Sequence, residues 1–251
     1  MMFRVVATMT VCAIALAGCE QPQPIIPGKR EAIDTLIQDA PVRAEIVNKS
    51  VAFRAPSMST NANWTQGHGT ARTRTTHPSL GANPQLMWSV PIGVGDGQRT
   101  RITADPVVAD GRIFTVDAEA RLSAHATSGA ALWSIDLTPQ GEGKGEATGA
   151  GIAYGNGTLF VTTAYGVLHA INPTNGAIRW SHSLRGAGNT RPTYYDGLVY
   201  VIGSDRTAWA IEADNGRVRW QIDGVDDVNN RIGSTAPAVS DKFALFGFGS
   251  G

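Results

Sequence analysis

The chain has 251 residues, 42% of them apolar, enough for one large domain with a core and a tail. Its 21 basic and 21 acidic residues balance, and no basic stretch interleaved with aromatics occurs, so no nucleic-acid partner is expected. Its two cysteines, Cys12 and Cys19, sit near the N-terminus, which excludes a disulfide framework, a cysteine metal site and a catalytic thiol from residues 20–251.

The N-terminus reads as an address. Arg4 precedes a mostly apolar run over residues 5–16, interrupted by Thr8, Thr10 and Cys12. As a helix it is too short to cross ~30 Å of hydrocarbon. It fits the apolar region of a signal peptide spanning residues 1–18. Residues 16–19, Leu-Ala-Gly-Cys, resemble the bacterial lipobox, in which small residues admit the signal peptidase and the thiol of Cys19 receives diacylglycerol. The lipobox implies several acyl chains of the palmitate kind on Cys19. At ~0.8 kcal/mol per buried CH₂, more than one chain holds a protein stably on a membrane. Glu20 follows the cysteine, which in enterobacterial-type sorting favours the outer membrane, facing the periplasm. An ordinary secretory leader with a coincidental cysteine is the alternative.

Residues 19–80 read as a lipidated cysteine and flexible linker. Gln21-Pro22-Gln23-Pro24 and Pro27-Gly28 interrupt any helix or ladder. A short helix is predicted over residues 29–39, with Ile33, Leu36 and Ile37 on one face. The polar, turn-rich residues 61–67 surround one aromatic, so Trp64 is expected to dock on the folded part.

From about residue 86 the chain repeats itself. Residues 106–114, 152–160 and 192–200 match, with Gly111, Gly157 and Gly197 at the same place. An aromatic follows each glycine by three positions (Phe114, Phe160, Tyr200) and an alanine by thirteen (Ala124, Ala170, Ala210). Gly129, Gly176 and Gly216 each stand four residues before a tryptophan: Trp133, Trp180 and Trp220. Turn signals divide each repeat into four short runs, in the first repeat 106–109, 112–117, 121–126 and 130–136. Four strands per repeat of this length predict an all-β propeller with blades at about 104–138, 150–184 and 190–224. The alanine is expected where neighbouring sheets approach closely. Each tryptophan is expected to act as a wedge between blades, burying ~150–250 Å², the alternative being a core residue within its own hairpin. No tryptophan is followed by Asp, so the repeat is not of the WD40 kind.

Trp88 matches the outer-strand tryptophan without three strands before it, and residues 235–251 begin a fourth blade. The propeller domain at 81–251 therefore counts about three and a half blades, and the sequence is expected to be the N-terminal part of a longer protein. An arc closed by self-association is the alternative. Residues 141–149 contain Lys144 followed by Gly145, and they join two strands, so they are read as a long loop and not a P-loop. The five histidines lack metal-ligand spacing, and His125 stands in the slot held by Ile171 and Ile211.

The combination of Cys19, residues 63–67 (Asn-Trp-Thr-Gln-Gly), residues 101–111, the Gly-x-x-x-Trp endings and residues 234–237 (Ser-Thr-Ala-Pro) resembles the BamB family, the PQQ-type propeller lipoproteins of the Bam complex, and within it the alphaproteobacterial branch. Members have eight blades, so the resemblance covers about the first half. It implies a non-enzymatic scaffold without a cofactor, anchored to the outer membrane by lipid. Its implied partners are the barrel-inserting subunit and unfolded outer-membrane proteins. A loop before the fourth blade contacts that subunit in the family. Here Arg231 and Ile232 occupy the region, with a solvated turn as the alternative. Two other functions remain open: a PQQ-dependent quinoprotein dehydrogenase, which shares the repeat, and a lipid-anchored binding module of another envelope complex.

Overall fold

A computed structural model describes residues 52–72, 77–186, 190–224 and 235–248. They belong, from Arg54 onward, to one compact unit. The expected signal peptide, Cys19, the helix over 29–39, Arg231 and Ile232 lie outside the described residues.

The repeat signals become strands. β1 (Val107–Ala109), β2 (Arg112–Val116), β3 (Arg121–Ala126) and β4 (Ala131–Asp136) form one antiparallel meander. A second contains β5 (Ala150–Gly155), β6 (Thr158–Thr163), β7 (Val167–Ile171) and β8 (Ile178–Ser183). The third is β9 (Thr193–Tyr195), β10 (Leu198–Ile202), β11 (Thr207–Glu212) and β12 (Val218–Asp223). A two-stranded sheet follows, β13 (Ala238–Val239) with β14 (Ala244–Leu245). In each four-stranded sheet the hairpin between the first two strands turns on two residues of positive φ. Asp110 and Gly111 lie at 49° and 70°, with near-identical values at Asn156-Gly157 and Asp196-Gly197. A two-residue turn of this hand matches the twist of the flanking strands and selects Asn or Asp followed by Gly.

The third and fourth strands carry the same irregularity in every sheet. The register shifts between Ala124 and His125, between Ala170 and Ile171, and between Ala210 and Ile211. Just before the shift each alanine pairs across the ladder with the tryptophan of its own repeat, Ala124 with Trp133, Ala170 with Trp180 and Ala210 with Trp220. All three alanines are fully buried.

The core lies between sheets. All six residues of β6 are buried, and because side chains alternate along a strand they serve two cores. Leu159 and Val161 join Phe114, Val116 and Leu122 of the first sheet. Phe160 instead joins Val199, Val201 and Ile211 of the third. Each sheet is thus packed face to face against its neighbours, as blades of a propeller are. The last strand of each blade is mostly exposed around its half-buried tryptophan and forms the outer rim. The described residues make an open arc: three four-stranded blades and a two-stranded fourth.

Candidate interaction surface

Tryptophan joins one blade to the next. Trp133 on β4 donates its indole N–H to the Pro173 carbonyl of the second blade at 3.1 Å. Trp180 on β8 donates to the Ala213 carbonyl of the third at 2.9 Å. Trp88 does the same to Thr127 of the first blade at 3.0 Å. Each ring covers a glycine of the blade it reaches: Trp88 covers Gly129, Trp133 covers Gly176 and Trp180 covers Gly216. A Cβ on any of the three would stand 2.8–2.9 Å from the indole. Trp220 meets Phe246, beyond the third blade, edge-on at 5.9 Å. Inside each blade the repeat's other aromatic backs the indole, with centroid distances of 6.0 Å for Phe114–Trp133 and Tyr200–Trp220 and 6.1 Å for Phe160–Trp180. Trp88 itself lies outside any strand, with no regular secondary structure at residues 86–90. Gly111, Gly157 and Gly197 have open space where a Cβ would be and serve the hairpin turns.

The inner edge is occupied by residues 64–71. Trp64 exchanges two main-chain hydrogen bonds with Val108 on β1, 2.7 Å from its own N–H and 2.8 Å to its carbonyl. The next residue accepts from β5, where the Tyr154 N–H reaches the Thr65 carbonyl at 2.6 Å. Gln66 then pairs through its side chain with β9: the Tyr194 N–H donates to Oε1 at 2.9 Å and Nε2 donates to the Tyr194 carbonyl at 3.3 Å. After a turn of 3-10 helix at Gly67–Gly69, the Ala71 carbonyl accepts from the Val239 N–H of β13 at 2.8 Å. One segment touches the inner strand of all four blades. Gln66, Gly67 and Ala71 are buried by it.

Threonines and ion pairs stitch the same zone. Thr103 Oγ1 bridges to the Ala150 carbonyl at 2.8 Å, Thr162 Oγ1 donates to Thr190 and Thr193 Oγ1 to Pro237. Arg191 pairs with Asp105 at 2.7 Å. The Tyr154 hydroxyl donates to the Asp110 carboxylate across the first two blades. Burial, then that carboxylate, pushes the phenol up to about 12, so it stays a donor at any physiological pH. His169 is buried, its Nδ1 2.8 Å from Ser181 Oγ, and desolvation holds its pKa at about 4. His125 is buried as well. Among the described residues no three His, Cys, Asp or Glu side chains converge as a metal site would require.

The rim carries the unpaired strand edges. β4, β8 and β12 each pair on one side only, and apolar Leu132, Ile178 and Ile222 are about half exposed on them. At the fourth blade Phe243 and Leu245 are 70% and 67% exposed. Residues 138–149 link the first two blades and are pinned there. Lys144 pairs with Asp136 at 2.8 Å and Tyr165 donates to the Gly143 carbonyl at 2.7 Å. Trp64 docks on the folded part as its setting in the sequence predicted, while the contacts of Thr65, Gln66 and Ala71 with the next three blades had no visible signal. The threonines carried no spacing signal at all.

Sheets stacked face to face, each reaching the next through its outer-strand tryptophan, define a propeller of PQQ-like repeats. Residues 118–251 match the PQQ_2 family described as "Outer membrane protein assembly factor BamB", and the chain belongs to this BamB family. Similar curated relatives are the outer membrane protein assembly factor BamB of Yersinia pestis, 23% identical over 174 residues, and that of Shewanella oneidensis, 30% identical over 148. The matches take in 67% and 56% of this chain but only 44% and 37% of those proteins, so the chain spans less than half their length. Among solved structures, the quinohemoprotein alcohol dehydrogenase ADHIIG from Pseudomonas putida HK5 aligns with a TM-score of 0.54 at 20% identity. That alignment covers 64% of this chain and 26% of the enzyme. At that identity the likeness is one of fold.

Proposed function

We propose that the chain is a non-enzymatic scaffold that assists the assembly and insertion of β-barrel proteins into the outer membrane. It is held on the periplasmic side by lipid on Cys19. It binds the barrel-inserting protein and its unfolded clients. Membership of the BamB family, carried by the match over residues 118–251, is the observation on which this rests. The rim offers a physical means. An extended client can add to the free edge of β4, β8 or β12 through main-chain hydrogen bonds, with Leu132, Ile178 and Ile222 supplying exposed apolar contacts beside those edges. The link from β12 to β13 carries Arg231 and Ile232, to which we assign the contact with the barrel-inserting protein.

The test is cross-linking in living cells followed by affinity capture from detergent-solubilised membranes. The barrel-inserting protein and unfolded barrel precursors should be recovered, and Arg231→Glu should reduce recovery of the former. Recovery of envelope partners without the barrel inserter would replace this reading with a module of another complex. Addition of PQQ and Ca²⁺ to the purified protein checks the dehydrogenase reading, which a bound chromophore would establish.

A further inference from the structure

The four amides that meet residues 64–71 hold one and the same position in the repeat. Val108, Tyr154, Tyr194 and Val239 each stand three residues before the turn position taken by Gly111, Gly157, Gly197 and Lys242. Each belongs to the first strand of its blade, which has a neighbouring strand of its sheet on one side only. Their N–H groups therefore form a row of equivalent donors, one per blade, along the inner edge of the arc. The row is filled in chain order by the Trp64 and Thr65 carbonyls, Gln66 Oε1 and the Ala71 carbonyl, at 2.6–2.9 Å.

From this arrangement we infer that the inner edge is a peptide-binding ledge, and that residues 64–71 are its ligand supplied in cis. The ligand class is an extended polypeptide that offers about one main-chain acceptor per blade. Ordinary strand addition runs along a strand and takes alternate groups from it. Here the occupant runs across strands, so what it recognises is the spacing of blades. Two of the four contacts are reciprocal. Trp64 returns its N–H to Val108, and the Gln66 carboxamide, which has the donor and acceptor of a peptide group, returns Nε2 to Tyr194. Gln66 thereby acts as a branch of backbone where the main chain has begun to turn away, which gives the ledge its sequence preference.

The occupant is shaped for the place. Gly69, at φ +78°, lets the chain fold back over Trp64, whose ring lies 3.0 Å from where a Cβ would be. The segment leaves and returns at one point. Ser59 N–H donates to the His77 carbonyl and Ser79 N–H to the Ser59 carbonyl, both at 2.8 Å, with His77 Nδ1 2.8 Å from the Pro56 carbonyl. The chain on either side of residues 60–72 is thus joined through Ser59, His77 and Ser79. With the ledge filled from within, a partner peptide is left the rim and the loops. The inference does not depend on the assembly role.

Hydrogen exchange at the four amides in the full-length protein tests it. Gln66→Ala should speed exchange of the Tyr194 amide about tenfold, the worth of one buried hydrogen bond, while leaving the Val108 amide unchanged. Gln66→Glu keeps an acceptor and should retain most of the Tyr194 protection. Replacing residues 60–72 by a short Gly-Ser bridge should expose all four amides. A synthetic peptide of residues 57–72 added to that variant should protect them again, and a scrambled peptide should not. Unchanged Tyr194 exchange in Gln66→Ala overturns the inference, as does a folded bridge variant that ignores the peptide. If the bridge variant does not fold, the Gln66→Ala and Gln66→Glu pair decides.

Discussion

Replacing Gly176 by alanine separates two demands that the fold makes on one residue. Gly176 lies at φ +75° in the turn between β7 and β8, a conformation that costs a residue with a Cβ about 1–2 kcal/mol. Its Cβ would also stand 2.8 Å from Trp133 Cε3 and 3.1 Å from Ile135 Cγ2, both in the preceding blade. The indole is not free to withdraw, because its N–H is bound to Pro173 and its face is backed by Phe114. Overpacking of this kind costs about 1–3 kcal/mol, so Gly176→Ala should lose about 2–5 kcal/mol in all. Gly157→Ala is the matched control. Its φ is +67°, yet nothing lies within 4 Å of the Cβ position, so only about 1–2 kcal/mol should go. Denaturant unfolding of the two variants should show different midpoints and the same slope. In a Trp133→Leu background the excess cost of Gly176→Ala should shrink toward zero. Equal losses for Gly157→Ala and Gly176→Ala would refute the claim that Trp133 clasps the next blade through this glycine.

Three further outcomes follow from the same packing. Trp180→Phe removes the indole N–H from the Ala213 carbonyl and should cost about 0.5–1.5 kcal/mol for that bond plus the packing of the lost ring, read by the same unfolding assay. Gly155→Ala would drive a Cβ into the Tyr194 ring, which stacks on Phe160 at 5.8 Å. It should destabilise by about 1–3 kcal/mol, with much of the loss rescued by Tyr194→Ala. His169, held at about 4 by burial against an ordinary 6.5, stays neutral in the fold while the unfolded chain takes up a proton as pH falls. The resulting penalty is absent above about 6.5, grows as the pH drops and is complete below about 4, reaching roughly 3 kcal/mol at 1.36 kcal/mol per unit. His169→Gln should flatten the stability profile between those limits.

Much of this architecture could be read from spacing because the repeat marks its own turns. Asn-Gly and Asp-Gly pairs supply the two positive φ values that each inner hairpin needs. The expected runs 112–117 and 130–136 accordingly lie within one residue of β2 and β4. The glycine four residues before each tryptophan was visible as a pattern. Its reason was not, since the ring on Gly176 belongs to Trp133, forty-three residues upstream, and not to Trp180. At Trp88 the sequence suggested an outer strand, but no strand forms there, and it is the indole that reaches the next blade, at Thr127. Of the occupant of the inner edge only Trp64 was legible, as an aromatic expected to dock. Three of its four acceptors are main-chain carbonyls, which any residue supplies, and the fourth, Gln66, finds its partner 128 residues away.

The assembly role is tested most directly by removing the gene from its host and measuring folded β-barrel protein in the outer membrane, by heat-modifiable electrophoretic mobility. The folded fraction should fall, and it should return when the full-length chain is supplied with Cys19 intact but not when Cys19→Ser leaves it without lipid. Undiminished barrel assembly in the deleted strain, with the chain shown to be normally expressed in the parent, would contradict the proposed function.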